Sequence, residues 1–400
     1  MPNQICCTRC TYQTNKLESY YCPECWGPVF YQRYQRAPHK SPASKELSGL
    51  WKYAHLLPRE IQIPASWNAG QTALIAAPGL AEAWDVSEVW VKDETGNPTH
   101  SFKDRVVALA LARALYLGLD TLACTSTGNL GHSLAAACAR EGLRCVVLVP
   151  ETVEAAKIAA ARALGADVVP IQGNYDDVNR TAHLLADQTN WGWVNMTLRP
   201  FYAEGSKTLL WEVLDQLGEL PTDIVAPAAS GSLYSKLYSA AQQTHPNNTI
   251  RFHAGQAEGC SPIAQAWNNN LEHPEPVRPN SRAHSLAIGN PADGANAIRA
   301  ARASGGQIVA VPETDLPQGV SLLGKHCGVL TESAGAVTTL AAQQLAYQGH
   351  FNCNSRIVLV VTGDGLKGLD LVQDSCLTGL ATCPANPDQV LERLGVQLEV

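Results

Sequence analysis

The apolar positions of the chain fall into two textures. From Val89 onward, short β-branched runs alternate with longer runs rich in alanine and leucine. The short runs are VWVK (89–92), TLACTS (121–126), RCVVLVP (144–150), DVVPI (167–171), DIVAPA (223–228), FHAGQ (252–256), QIVAV (307–311) and RIVLVVT (356–362). Their length and composition predict strands. The longer runs, at 104–118, 131–142, 153–164, 176–189, 204–218, 232–243, 292–304 and 333–348, predict helices. Such alternation, sustained over roughly 270 residues, predicts an α/β fold with doubly wound, mostly parallel sheets. Ligands of such sheets sit at the carboxyl ends of the strands. Residues 1–36 differ: they are aromatic, rich in cysteine and short of aliphatics.

One helix start carries an oddly placed charge. In NPTHSFKDRVVALALARAL (97–115) the run after Arg105 is apolar on nearly all sides, which predicts a buried helix. Ser101 followed by Asp104 is a start signal, with the serine as cap and the carboxylate reaching back. Lys103 then lies in the first turn, where the helix dipole disfavours a cation. Burial and the dipole together predict a depressed amine pKa and a nucleophilic lysine. Alone, the stretch also suits a surface lysine reaching out to water. Arg105 is a candidate partner for Asp104.

Composition removes several function classes. The 400 residues are 46% hydrophobic and 16% charged, with a net charge of -7. An acidic chain without a basic face does not suit a nucleic-acid phosphate backbone. No apolar run reaches membrane-spanning length, and the N-terminus lacks an apolar signal core, which predicts a cytoplasmic protein. Of 13 cysteines, five precede residue 26. Those scattered through apolar stretches, such as Cys124, Cys138 and Cys145, read as small buried hydrophobes in a reducing compartment. Cys7-x2-Cys10 and Cys22-x2-Cys25 have the spacing of a tetrahedral zinc ribbon, with Cys6 as an alternative to Cys7. Four thiolates leave no open position, so such a site is structural.

Three further junctions carry candidate chemistry. In CTSTGNLGHSLAAACAR (124–140), Thr125, Ser126, Thr127, Gly128 and Asn129 precede a helix of small residues, an arrangement able to hold a carboxylate. In DIVAPAASGSLYSKL (223–237), the loop Ala228, Ala229, Ser230, Gly231, Ser232 and Leu233 suits a phosphate without being a Walker loop. RIVLVVTGDGLKG contains Gly363-x-Gly365-x-x-Gly368, but no full βαβ unit follows before the chain runs out, so a nicotinamide site is rejected. The strand end presents Thr362 instead.

These segments resemble a known family. NPTHSFKDR is similar to the lysine motif of fold-type II pyridoxal phosphate enzymes of the threonine synthase group. CTSTGNLGHS resembles their substrate loop, and GNYDDVNR, LRPFYAEGSKTLLWE, APAASGS, GQAEGCSPIAQA, SLAIGNPADG, TESAGAVT and TGDGLKGLD resemble family segments in the same order. The cysteine knuckles resemble the N-terminal extension of many members. The resemblance implies a tryptophan synthase β-like fold with two doubly wound domains behind a small zinc-ribbon-like segment. That segment is 1–36. Residues 37–120 and 204–400 would form the larger, cofactor-binding domain, and 121–203 the smaller one with the substrate loop.

The resemblance also implies roles. Lys103 would hold pyridoxal 5'-phosphate covalently and move protons. Asn129 would contact the ring hydroxyl, Ala228–Leu233 the cofactor phosphate, and Thr362 the pyridine nitrogen. Thr125–Asn129 would take the substrate carboxylate. The implied reaction converts O-phospho-L-homoserine and water to L-threonine and phosphate. Its substrate phosphate needs cations, for which Lys207 and Arg162 are candidates. A structural zinc and a homodimer are further expectations; nucleic-acid and membrane partners are not. The sister reactions of cysteate synthases and of threonine or serine dehydratases use the same fold and lysine. From another class, a non-catalytic zinc-ribbon protein on a degenerate scaffold is the rival.

Overall fold

A computed structural model describes residues 4–32, 47–126, 128–153, 155–173, 175–378, 380 and 382–395. The alternating pattern condenses into two parallel sheets. The larger has six strands in the order Ile308–Val311, Arg251–Ala257, Asp223–Pro227, Arg356–Val361, Glu88–Asp93 and Ala73–Ala76. All neighbours are parallel except the edge strand Ala73–Ala76, which runs antiparallel to Glu88–Asp93. The smaller is wholly parallel: Asp167–Ile171, Arg144–Pro150, Thr121–Cys124 and Gly192–Trp193. Its central strands are buried on both faces, as a sheet covered by helices requires.

The helix Lys103–Tyr116 is the buried helix that its sequence predicts: every residue from Asp104 to Ala114 is buried. One apolar core contains Val107, Leu109 and Leu111 of this helix, Leu122 and Val147 of the smaller sheet, and Ala226, Phe252 and Val358 of the larger. The start of this helix is therefore fixed from both sheets.

The helix Leu316–Cys327 went unread because Pro317, Gly319 and Gly324 interrupt its pattern, although Leu316, Val320 and Leu323 line one buried face. After Gly368 the chain does not run out: it forms the helices Asp370–Leu377 and Pro387–Leu394.

The N-terminal segment forms a three-stranded antiparallel sheet ordered Gln13–Thr14, Gln4–Cys7 and Val29–Gln32. Its small core, Ile5, Cys7, Cys22, Val29 and Tyr31, closes on Phe201 of the short helix Arg199–Glu204. No helix among the described residues is long and apolar enough to cross a membrane.

Candidate active site and metal centre

Lys103 follows a loop held against the far end of the chain. The Phe102 N–H donates to the Thr362 carbonyl at 2.9 Å, Ser101 bridges to Gly363, and the Asp364 N–H donates to the His100 carbonyl at 3.2 Å. The loop thus lies across the carboxyl end of the strand Arg356–Val361, where ligands of such sheets sit. The Lys103 ammonium donates to the Tyr202 hydroxyl at 3.3 Å and lies 5.6 Å from the centre of the Phe102 ring.

The expected cap does not form. The N-cap is Phe102, without a side-chain cap bond, and the buried Ser101 hydroxyl has no hydrogen-bond partner among the described residues. A tight turn with His100 in the left-handed region (φ 58°) carries Ser101 out of capping position. The Asp104 carboxylate accepts instead from the Thr99 N–H at 2.6 Å and from the hydroxyls of Thr99 and Ser133 at 2.5 Å each. Nor does Arg105 pair with Asp104. It is fully buried and donates to Glu94 and Glu212, with Lys92 completing the network at 2.6 Å from Glu212.

Asn129 opens the helix Asn129–Glu141, and its amide is held at both ends. The amide nitrogen donates to both oxygens of Glu332 at 3.0 Å, and the amide oxygen accepts from Lys367 at 2.9 Å. Lys367 also donates to the Thr99 carbonyl at 2.5 Å. The preceding loop passes so close to the helix that a Cβ on Gly131 would lie 1.9 Å from the Ser126 carbonyl oxygen. The Thr125 hydroxyl is engaged by Asn179 at 2.9 Å and Asn195 at 3.0 Å, which leaves Ser126 and Gly128 on the loop's open side. Thr127 lies outside the described residues.

The loop Ala228–Leu233 joins the strand Asp223–Pro227 to the helix Ser232–Thr244. Gly231 has φ 84°, and a Cβ there would lie 2.8 Å from the Asp293 carbonyl oxygen. The Asp293 N–H donates to the Ser230 carbonyl at 2.8 Å, and Asp293 is itself paired with Arg199. The first amides of that helix have no intrahelical partner, so the loop suits a phosphate. Thr362 lies one residue beyond the end of the strand Arg356–Val361.

The two candidate phosphate cations are engaged or placed elsewhere. Lys207 is buried and its ammonium is spent on Glu204 at 2.7 Å and Gln243 at 3.0 Å. Arg162 is exposed in the last turn of the helix Ala155–Ala163, the end opposite to the one that follows a strand's carboxyl edge. Sequence reasoning missed Tyr202, Glu332 and Lys367, although all three lie inside the segments that carry the family resemblance.

In the ribbon, the sulfurs of Cys7, Cys10, Cys22 and Cys25 all lie within 4.8 Å of one another. Tetrahedral zinc with bonds of about 2.3 Å needs sulfurs about 3.8 Å apart, so the set fits that metal. Cys6, its neighbour on the strand, points to the other face and donates to the Gln32 side chain at 3.1 Å, which settles the choice in favour of Cys7.

Residues 66–363 match the family model described as pyridoxal-phosphate dependent enzyme. The threonine synthase of Methanocaldococcus jannaschii is 31% identical over 376 residues, covering 91% of this chain and 93% of its own. That of Halalkalibacterium halodurans is 32% identical over 343 residues, covering 84% and 92%. The chain belongs to the pyridoxal-phosphate-dependent threonine synthase family. It shares the family's cofactor, and the residues fit that cofactor: a lysine amine at a strand's carboxyl end, an unpartnered buried hydroxyl beside it, and a glycine-bearing loop at a helix N-terminus. Solved structures carry the same fold. The processed form of threonine deaminase isoform 2 from Solanum lycopersicum superposes with a TM-score of 0.67 at 20% identity, over 86% of this chain and 96% of that one. Diaminopropionate ammonia lyase from Escherichia coli gives 0.65 at 18% identity, over 94% and 97%. The family match begins after the ribbon.

Proposed function

We propose that Lys103, Asn129, the loop Ala228–Leu233 and Thr362 form the pyridoxal phosphate site of a threonine synthase that converts O-phospho-L-homoserine and water to L-threonine and phosphate. The observation that carries this reading is the bond from Phe102 to Thr362, which joins the lysine loop to the strand end. When bound, the cofactor supplies the electron sink for carbanion chemistry.

Each residue's task follows from its place. Lys103 holds the cofactor and its amine moves the protons, taking one from Cα and one from Cβ of the substrate so that phosphate leaves from Cγ. A proton returned to Cγ, the hydroxyl of water added at Cβ and a proton returned to Cα complete threonine. Tyr202, 3.3 Å from the amine, orients it. Asn129 donates to the cofactor's ring oxygen, and the amides of Ala228–Leu233 hold its phosphate. Thr362 meets the pyridine nitrogen with a hydroxyl, which leaves that nitrogen uncharged and tempers the sink. The loop Thr125–Asn129 takes the substrate carboxylate, mainly through Ser126, Gly128 and the helix amides behind them. Cys7, Cys10, Cys22 and Cys25 hold a structural zinc. The domains are 37–120 with 204–400 and 121–203, a division supported by the strands of the larger sheet falling in the first and those of the smaller in the second. The enzyme works as a cytoplasmic homodimer.

The test is release of phosphate and formation of threonine from O-phosphohomoserine, wild type against Lys103→Ala. Threonine from the wild type alone supports the reading. A yellow wild-type protein inactive on this substrate would move the assignment to phosphoserine, serine or threonine as substrate. A protein that takes up no cofactor would overturn the site itself.

A further inference from the structure

Glu332 and Lys367 approach Asn129 from opposite sides and have no part in the chemistry above. A primary amide has two donor hydrogens at one end and two acceptor lone pairs at the other. The Glu332 carboxylate faces the donor end, with both oxygens 3.0 Å from the nitrogen. The Lys367 ammonium faces the acceptor end at 2.9 Å. Half a turn of the amide would set oxygen against carboxylate and NH2 against ammonium, losing the charge-assisted bonds to both partners and gaining two repulsions.

The partners are themselves fixed. The Glu332 N–H donates to the Gly363 carbonyl at 3.0 Å, directly after Thr362. The Lys367 stem is exposed, but its ammonium turns inward to the Thr99 carbonyl, in the loop that precedes Lys103. Burial raises the Glu332 carboxyl above its ordinary value, against the pull of Asn129, Lys367 and Lys103. Burial likewise lowers the Lys367 amine, against Glu332, Asp104 and Asp364. Both groups thus act where water screens them less than at an open surface.

We propose that Glu332 and Lys367 are a positioning pair that locks the rotation of the Asn129 amide, so that its remaining N–H is aimed at the ring oxygen of the cofactor. The inference rests on the proposed contact of Asn129 with that oxygen, and deepens it. The pair also ties three junctions together: the substrate loop through Asn129, the lysine loop through Thr99, and the strand end through Gly363.

The experiment titrates apoprotein with pyridoxal phosphate and follows the visible band of the bound cofactor. It compares wild type, Asn129→Ala, Lys367→Met, Glu332→Gln and the double variant Asn129→Ala with Lys367→Met. Loss of an aimed hydrogen bond predicts about tenfold weaker binding in each single variant. Each single variant is also expected to displace the band, because the ring oxygen loses its donor. The double variant should be no worse than Asn129→Ala, since Lys367 acts through the amide. Lys367→Arg, which keeps the donors, should restore the wild-type band, and it carries the test if Lys367→Met does not fold. An extra loss in the double variant would show that Lys367 touches the cofactor directly and would overturn the pair while leaving the Asn129 contact in place. Unchanged binding in Lys367→Met and Glu332→Gln, beside a weakened Asn129→Ala, would overturn it too. An unchanged Asn129→Ala would overturn the contact, and the pair with it.

Discussion

The guanidinium of Arg199 donates to the Asp293 carboxylate at 2.5 Å, while its other terminal nitrogen donates to the carbonyl of Val29 at 3.0 Å. Val29 belongs to the cysteine ribbon, and the Asp293 N–H holds Ser230 of the phosphate loop. Two more cations bind ribbon carbonyls from the enzyme side: Lys236 at Tyr31 and Arg299 at Thr8. The helix that starts at Arg199 also presents Tyr202 to Lys103.

Disturbing the ribbon should therefore be felt at the cofactor. Arg199→Met, and separately Cys22→Ser, are expected to weaken pyridoxal phosphate binding by about threefold to tenfold, the scale of one or two displaced hydrogen bonds. Helix content by circular dichroism should stay close to wild type. Wild-type affinity in both variants would show the ribbon to be uncoupled from the site.

Gly231→Ala probes the phosphate loop without touching the ribbon. The left-handed φ of 84° and the 2.8 Å approach to the Asp293 carbonyl both oppose a Cβ. Expected are a loss of about 1–2 kcal/mol of stability from the backbone alone and weaker cofactor binding. Denaturant unfolding of the apoprotein measures the first. A variant as stable as wild type would mean that the loop tolerates another conformation.

The network around Arg105 anchors the first turn of the lysine helix. Burial by itself would raise the Glu212 carboxyl, but Arg105 and Lys92 hold it well below the ordinary carboxylate value of 4.5. Its stabilisation is therefore present above that value and is lost as the pH falls below it. Arg105→Met leaves Glu94 and Glu212 without their shared cation and should cost about 3–5 kcal/mol at neutral pH. Urea unfolding at neutral and acid pH checks both: the gap between variant and wild type should narrow in acid, and a constant gap would count against the ionic account.

Glu332 predicts the opposite sign. Its folded-state pKa lies above the ordinary 4.5, mainly through burial. Wild-type stability from this group is highest below 4.5 and falls as the pH rises through the folded value. The Glu332→Gln apoprotein should thus gain on wild type as the pH rises above the ordinary carboxylate value of 4.5, although the same change weakens cofactor binding. A pH series of apoprotein melting temperatures decides it; a difference that does not change with pH would contradict the burial of the charge.

Local sequence carried the strands well. Arg144–Pro150 and Asp167–Ile171 occur with the bounds that their apolar runs predict, the first buried along most of its length and the second at the sheet edge and largely exposed. The edge strand Ala73–Ala76 is a short apolar run inside a proline- and tryptophan-bearing connecting stretch; it pairs on one side only, and both its ends are exposed. Side-chain direction was not legible. Lys207 stands inside a family segment but points into the core, and Asp104 meets Thr99 and Ser133 rather than the expected Ser101. Glu332 and Lys367 escaped notice because their partner Asn129 lies 203 and 238 positions away, beyond any spacing rule. Their motifs were visible, but their meeting was not.

The bonds that seat the lysine loop also set an order of assembly. Thr99 and Phe102 are closed by Lys367 and Thr362, so the span from Thr99 to Lys367 covers 268 positions. A ribosome releases the lysine loop long before its counterpart, 268 positions later. Until then the segment around Lys103 has no lid of backbone to lie against. The amine reaches its working place only when Thr362 and Lys367 have left the ribosome.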